Sequence, residues 1–593
     1  MWYAIKVTVL ESELSSDNMI DLEGYDCMAW YDEAVFYHIY PLGLTGAPKT
    51  NDYGEPVHRL NTLMPWIEHI KKTGFNALYI GPLFESVGHG YETTDYKKLD
   101  SRLGTNDDLK AFVKECHRQG IRVIFDGVFN HTGRDFFAFK DIQKNREQSP
   151  YKDWYCNVNF WGNNEYNDGF SYDNWGGYNL LVKLNQHNPA VRDYICDVIR
   201  FWVSEFDVDG IRLDAADVLD FEYMKALRRT ANEVKPDFWL MGEVIHGDYS
   251  RWVNEGTLHS VTNYQLHKAL YSGHNDHNYF EIAHTVKRLY EMGGNRPEGL
   301  KLYNFVDNHD VERIYTKLQN KAHFTPVHIL LYTLPGVPSV YYGSEFGIEG
   351  KKERYSDDSI RPALNLTDYA NAAEENPCTK LIAALGCIRQ HTKELSYGDY
   401  KELMLQNRQY AFARSLDGKS VIVMVNNDDN GAEFSVPAGG AYVGALSGRK
   451  VNADGQLRVQ IDGDSGEIWI PAEEADKDLA PVELEPIETF PVQQLIVEAV
   501  QKKESMTQQS VKPAPEEGVQ MNTDGQHKAT PKEETVVPVQ VPDKSYEKMT
   551  VEELQQAVLQ KLAKNGPVTD QMKKDVADNV YHDSLVNWVK SFR

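Results

Sequence analysis

The chain has 593 residues, with 62 Lys+Arg against 88 Asp+Glu and a formal net charge of −26. At roughly 100–200 residues per domain that length holds several domains, and 41% apolar with 11% aromatic residues is enough for a large buried core. The acidic balance excludes nucleic acid and anionic membrane as natural partners, because both would be repelled. No run approaches the roughly 18 consecutive apolar residues of a spanning helix.

Residues 1–30 form an N-terminal extension. Its start, MWYAIKVTVLESELSSD, lacks a basic n-region, an adequate apolar h-region and a small-residue cleavage site, so it does not read as a signal peptide. Cys27, Cys116, Cys156, Cys196, Cys378 and Cys387 are scattered without metal or redox spacing. A cytoplasmic, disulfide-free and zinc-free protein is the expectation.

From residue 31 to 365 short β-rich runs alternate with helical patterns. The runs are AVFYHIY (34–40), NALYIGP (76–82), IRVIFDG (121–127), VDGIRLD (208–214), FWLMGE (238–243), HSVTNY (259–264), KLYNFVD (301–307) and SVYYGSE (339–345). They are apolar without strict alternation, as strands buried on both faces are. Between them, in 106–120, Leu109, Phe112, Val113 and Cys116 share one helical face, and Gly120 stops the helix. In 188–206 Pro189 suits a first helical turn. Eight strand–helix units in about 310 residues fit an α/β fold of the (β/α)₈ TIM-barrel type, with a doubly wound open sheet as the rival. Asp214 and Glu243, ends of consecutive strands, lie 29 residues apart, whereas Asp126 and Asp214, also consecutive, lie 88 apart. The excess, 131–187, is rich in Asn, Trp, Tyr and Gly and predicts an irregular insertion after strand three, on the face where barrels build their sites.

Residues 366–475 lead through a helix into short alternating runs, YAFARSL, SVIVMVNN, EFSVPAG, QLRVQIDG and EIWIPA, split by turns such as Asp417-Gly418 and Asp454-Gly455. They predict a C-terminal antiparallel β domain. Residues 476–545 turn to Pro, Glu, Gln and Lys and read as a mostly disordered linker. Residues 546–593 regain helical pattern. Thr550 and Glu553 form a capping box, Val551, Leu554, Val558 and Leu562 share a face, and a second helix follows Asn565-Gly566-Pro567. This two-helix tail is either a docking element for a protein partner of unknown kind or packs on its own chain.

Asp126, Asp214 and Glu243 end predicted strands three, four and five, and Asp310 follows the seventh. In a barrel such ends converge on one mouth. Arg212 and Asp214 are two apart, so their side chains share a face, and the guanidinium is expected to keep the carboxylate ionised. One such acid is an ordinary cap or surface ion; four on four strand ends, without a Cys/His cluster, point to hard-cation binding or to glycoside hydrolysis by paired carboxylates.

FDGVFNH (125–131), GIRLDAAD (210–217), LMGEV (240–244) and FVDNHD (305–310) occur in order on strands three, four, five and seven. They resemble the four signature regions of the α-amylase family, glycoside hydrolase family thirteen. GHGYETTDY (88–96) is similar to its substrate-stacking segment and VKLN (182–185) to its fifth region; the likeness spans about residues 30–470. The resemblance implies a retaining double displacement with Asp214 as nucleophile, Glu243 as acid/base and Asp310 as a binder of ring hydroxyls. It makes Tyr91 a stacking platform and His131 and His309 donors to the same sugar. Asp126 would orient Arg212, itself at the substrate, and His89, Asp95 and Lys183 take supporting places.

Through the resemblance the substrate is an α-glucan oligosaccharide. Ala215 after the nucleophile suggests α-1,4 linkages. Lys183 and GEVIHGDYSRWVNEG (242–256) resemble the neopullulanase and cyclomaltodextrinase branch, but only about 30 residues precede strand one, where that branch carries an extra β domain. An intracellular maltodextrin-cleaving α-amylase is therefore expected, with a cyclomaltodextrinase, neopullulanase or glucosyl-transferring enzyme as the alternative. A non-catalytic sugar-binding relative would have lost an acid, and all three are present. Trp154, Tyr155, Phe160, Trp161, Trp175 and Tyr178 either line a glucan cleft or pack the insertion. No cofactor is needed for the chemistry. A structural calcium is implied at Asn130, with Asn163, Asn164, Asp168 and Asp173 as hard oxygen donors, although such text is equally that of an ordinary loop.

Overall fold

A computed structural model describes residues 29–475 apart from 295, 297, 298 and 355, together with 481–482, 487, 554–555 and 557–559. Eight strands, β1 (Phe36–Ile39), β2 (Ala77–Ile80), β3 (Arg122–Gly127), β4 (Gly210–Leu213), β5 (Trp239–Gly242), β6 (Ser260–Val261), β7 (Tyr303–Phe305) and β8 (Val337–Tyr341), make one sheet in the order β6-β5-β4-β3-β2-β1-β8-β7. Every pairing is parallel, and a parallel bridge from Thr262 to Tyr303 joins the two edges. The order is circular and never reverses, which gives the barrel and eliminates the doubly wound sheet.

The barrel has two apolar faces, which is why its strands do not alternate in sequence. Phe36, Ala77, Tyr79, Ile124, Trp239, Met241, Tyr303 and Phe305 fill the inside, while their neighbours Tyr37, Leu78, Val123, Phe125, Ile211 and Leu240 join the core that includes the surrounding helices. Trp239 stacks on Phe36 with centroids 5.1 Å apart. Gly210 makes room beside it, since a Cβ there would lie 2.5 Å from the Trp239 carbonyl oxygen.

Helix α1 (Asn106–Arg118) starts at a Thr105–Asp108 capping box and buries Leu109, Phe112, Val113 and Cys116, as its pattern predicts. Helix α2 (Pro189–Phe206) is capped by Asn188 and ends at left-handed Asp207. The eighth run is shifted: the strand is Val337–Tyr341, and the chain turns away at Gly343 with φ 86°. Pro338 inside a two-sided strand, normally a reason to reject one, hid its start.

The insertion is more regular than its composition suggests. His131–Thr132, Asn174–Trp175 and Tyr178–Lys183 form a small antiparallel sheet beside helix Phe137–Asn145. Strands of two residues are too short to leave a pattern. After the barrel come β9 (Asp399–Leu405), β10 (Gln409–Leu416), β11 (Lys419–Asn426), β12 (Ala432–Pro437), β13 (Gly440–Gly444), β14 (Lys450–Ala453), β15 (Gln456–Ile461) and β16 (Ser465–Pro471). They make an antiparallel sheet β9-β10-β11-β16-β13-β14 and a separate β12–β15 pair, around Ile422, Met424, Phe434, Leu457 and Trp469. The half-exposed β9, β13 and β14 are the strands the sequence pattern misses.

The chain divides into two compact units, Met1–Val511 and Lys512–Arg593. Residues 1–28, nearly all of the predicted linker, the Thr550–Glu553 cap and the second tail helix lie outside the described residues. In the tail, 554–555 and 557–559 are helical, with Leu554, Ala557 and Val558 buried. Among the described residues no helix is long and apolar enough to cross a membrane.

Candidate active site

Strand register brings the distant acids together. Asp126 on β3 lies directly opposite Arg212 on β4, and both point inward at the upper end of the barrel. The ladder continues one residue further, the Asp214 N–H donating to Gly127 O (3.1 Å) and the Glu243 N–H to Leu213 O (2.9 Å). Buried Arg212 then reaches three carboxylates: its Nη1 is 2.8 Å from Asp126 Oδ1 and 3.0 Å from Asp214 Oδ1, and its Nη2 is 2.9 Å from Glu243 Oε2. Ala215 takes the left-handed conformation (φ 47°), and its N–H donates to Glu243 Oε2 at 3.1 Å. Left-handed backbone at a non-glycine residue costs energy, and it stands here between the two central acids. Asp126 is held in turn by the Tyr79 and Tyr91 hydroxyls at 2.8 and 3.1 Å, the geometry of a group that orients Arg212.

A second pole forms around Asp310. His309 Nε2 is 3.1 Å from its Oδ2 and Arg361 Nη2 is 3.0 Å from its Oδ1. Arg361 also pairs with Asp357 (2.8 Å) and donates to the His309 carbonyl (2.8 Å). The His309 ring lies between the parallel rings of Tyr91 and Tyr40, at centroid distances of 5.7 and 5.9 Å, and Tyr91 Oη also contacts its Nε2. Asp214, Glu243 and Asp310, with His89, Tyr91, His131, Trp175, Asp357 and Arg361, line one cavity of about 280 Å³. Tyr264 Oη stands 3.4 Å from Glu243 Oε1.

Burial dominates the electrostatics. It pushes Asp214 well above the usual carboxylate range, with Glu243, Asp126 and Asp310 adding to the rise, and this outweighs the pull of Arg212 that was expected to keep the acid ionised. Burial raises Glu243 as well, again against Arg212 and with help from Asp310. Asp310 moves the other way: burial raises it, but His309, Arg361, Arg212 and Lys352 together hold it down at about 2. Burial lowers His131 and His309 to about 3, so both rings are neutral near pH 7.

Those histidines differ from their expected part. His131 Nε2 is 3.1 Å from Tyr91 O and its Nδ1 is 3.2 Å from Asn130 Nδ2, so both ring nitrogens are engaged within the protein. His309 Nε2 stands against both Tyr91 Oη and Asp310 Oδ2, so it too is engaged within the protein. His89 is at the cavity, half-exposed, 3.2 Å from Glu92. Lys183 pairs with His131 across the insertion sheet and does not line the cavity. Asp95 is exposed, its Oδ1 accepting from the Lys97 N–H (2.8 Å), and lies outside the site; strand alternation buries Tyr96 instead. Of the six insertion aromatics only Trp175 lines the cavity.

The residues expected around calcium do not fit one. Asn130 Oδ1 already accepts from Gln186 Nε2 at 3.1 Å. Asp168 is taken by Arg134 through two contacts of 2.7 and 2.8 Å, and by Asn164 at 2.7 Å, so a guanidinium holds the place of a cation. Sequence reasoning missed Tyr40, Tyr264, Asp357 and Arg361. Tyr264 ends the HSVTNY run and was available as a strand-end residue; Asp357 and Arg361 sit in a loop after β8 without any periodic signal.

The description of the α-amylase catalytic domain matches residues 57–386. The chain is 32% identical over 422 residues to a cyclomaltodextrinase of Thermoanaerobacter pseudethanolicus, covering 67% of this chain and 71% of that one. It is 30% identical over 469 residues to neopullulanase 2 of Thermoactinomyces vulgaris, covering 73% and 76%. A solved cyclomaltodextrinase structure superposes with a TM-score of 0.66 at 26% identity, over 74% of this chain and 78% of that one. With its ordered signature motifs on converging barrel strands, the chain belongs to the α-amylase family of glycoside hydrolases.

Proposed function

We propose that the protein hydrolyses α-1,4-glucosidic bonds of maltodextrins and starch-type glucans with retention of anomeric configuration. One observation carries the reading: Asp214 and Glu243 are bound to the two Nη atoms of a single guanidinium and line the same cavity. That bridge supports the short carboxyl separation of a retaining pair, about 5–5.5 Å, over the wider inverting arrangement. Asp214 attacks the anomeric carbon and forms a glycosyl ester while Glu243 gives its proton to the departing glycosidic oxygen. Glu243 then takes a proton from water, which opens the ester and returns Asp214. Asp310, held by Arg361 and His309, accepts hydrogen bonds from ring hydroxyls, contacts that strengthen as the ring flattens toward an oxocarbenium ion. The reaction needs no cofactor. A cytoplasmic location is in keeping with the five described cysteines, all free thiols.

A second reading, cyclic maltodextrins or pullulan as preferred substrates, is favoured by the relatives named as cyclomaltodextrinase and neopullulanase. Product analysis on maltoheptaose, β-cyclodextrin and pullulan, with anomeric configuration followed by NMR, separates the two. Fastest turnover of the linear substrate with α-anomers released first is expected. Ring opening faster than linear cleavage selects the second reading, and β-anomers first would end the retaining assignment.

A further inference from the structure

The insertion bears a second concavity, and Trp161 stands on it. Its indole is 98% exposed, whereas Tyr155, Phe170 and Tyr172 of the same insertion are buried. Water-facing indoles of this extent are uncommon, because tryptophan carries the largest apolar surface of any side chain. The cavity holds about 710 Å³ and is lined by Glu147, Asn157, Asn159, Phe160, Trp161 and Asp173 among others; it shares no lining residue with the catalytic cavity.

The backbone that carries the indole is braced. The Trp161 backbone N–H donates to Asn159 Oδ1 (3.0 Å), and the Gly162 N–H donates to Asn159 O (3.1 Å). Asn159 exchanges two backbone bonds with Ser171, of 2.8 and 3.0 Å. A Cβ at Gly162 would lie 2.4 Å from Ser171 Oγ, so this tight seat requires glycine. Phe160, next to it, is held under the Arg146 guanidinium at 5.5 Å.

The chemistry of the wall limits what that ligand is. A flat indole face takes an apolar face, while the carboxylate of Glu147, the second oxygen of Asp173 (its Oδ2 accepts from Asn157 Nδ2 at 2.8 Å) and the Asn159 amide N–H groups take hydroxyl groups around its edge. The two acids, on a chain of net charge −26, repel phosphates and other anions. A neutral ring with an apolar face and a hydroxyl edge is a hexose.

We propose that the Trp161 groove is an auxiliary site that holds a remote stretch of the α-glucan chain, apart from the bond being cut. It rests on the α-glucan reading of the catalytic site. The test compares the full chain with Trp161→Ala and Trp161→Phe, by retention in glycogen-containing native gels and by turnover of maltotriose and glycogen. Trp161→Ala should weaken glycogen retention and raise KM for glycogen by about five- to tenfold. Trp161→Phe should restore most of both, and maltotriose turnover should stay within about twofold of the parent in each. Unchanged retention in Trp161→Ala overturns the inference, as does an equal loss on maltotriose, which would put Trp161 in the catalytic cleft. So does a shift of oligomeric state in sedimentation, which would make the patch a contact between copies. If the parent chain neither cleaves nor retains any glucan, the α-glucan reading falls first; if it cleaves maltodextrins and Trp161→Ala is retained like the parent, only this inference falls.

Discussion

Arg212 is the most sensitive point of the site. Its side chain is 4% exposed and touches Asp126, Asp214 and Glu243 within 3.0 Å. Arg212→Met keeps an apolar stem of similar length and removes the charge. Leaving one buried ion without its partner costs about 3–5 kcal/mol, and here three acids lose the same partner. If that loss falls on the transition state, kcat/KM on maltoheptaose drops by about 10²–10⁴-fold. Stability has a definite sign. Without the guanidinium the folded-state pKa values of Asp214 and Glu243, already raised by burial, rise further. A carboxyl raised in the folded state is protonated in both states below its unfolded pKa near 4, and costs stability as pH climbs from there through the folded value. The Tm deficit of the variant against the parent should therefore be small near the unfolded carboxyl pKa of about 4 and widen as pH rises above it. Differential scanning fluorimetry across that range, beside reducing-sugar kinetics, reads both effects. A deficit of constant size would mean that Arg212 acts by filling space, and a rate loss below about tenfold would remove it from the electrostatics of the site.

Asp214→Asn should reduce maltoheptaose turnover to background with the thermal transition intact; retained turnover would exclude it as nucleophile. Glu243→Gln should slow maltoheptaose by about 10²–10⁴-fold but barely affect a glucosyl fluoride, whose leaving group needs no proton. Because the Glu243 charge helps to raise Asp214, the acid limb of the fluoride pH–rate profile should also move to lower pH in that variant; a limb that stays put would uncouple the two acids. Extended EDTA treatment should leave Tm unchanged, whereas Arg134→Met should cost about 2 kcal/mol through its bonds to Asp168; a chelator-sensitive Tm would restore the cation. A chain ending at Val511, the edge of the first unit, should keep kcat on maltodextrins, and a large drop would tie the tail to catalysis.

How much of this was legible follows from what a strand reveals. Strands with two apolar faces leave plain runs, so the sequence locates all eight barrel strands, and the strand-end rule groups Asp126, Asp214, Glu243 and Asp310. The solvent-facing edges β9, β13 and β14 leave mixed text and were not seen. Asp357 and Arg361 reach Asp310 only because the barrel closes and the loop after β8 returns beside β7, a proximity no local pattern encodes. Asp95 shows the opposite error: its segment approaches the site, but the pleat turns Tyr96 inward and Asp95 out. The rise of Asp214 was missed because depth of burial, unlike the presence of Arg212 two residues away, is not written in the sequence.

That rise bears directly on mechanism. One guanidinium faces three carboxylates, and burial with the neighbouring negative charges raises both Asp214 and Glu243 against it. The donors are unequal: the Ala215 N–H and, more distantly, Tyr264 Oη donate to Glu243, with Arg212 Nη2 2.9 Å away, while Arg212 Nη1 donates to Asp214. Hydrogen bonds to the charged form favour it, so these donors work toward an ionised Glu243 while burial works toward a neutral Asp214. Double displacement requires the reverse. On the proposed reading the substrate makes the exchange: a sugar ring gaining positive character beside Asp214 favours its ionised form, and a glycosidic oxygen beside Glu243 gives the proton somewhere to go. On that reading the bound ring sorts the couple into nucleophile and acid, which is a way for one arginine to serve both steps without being moved.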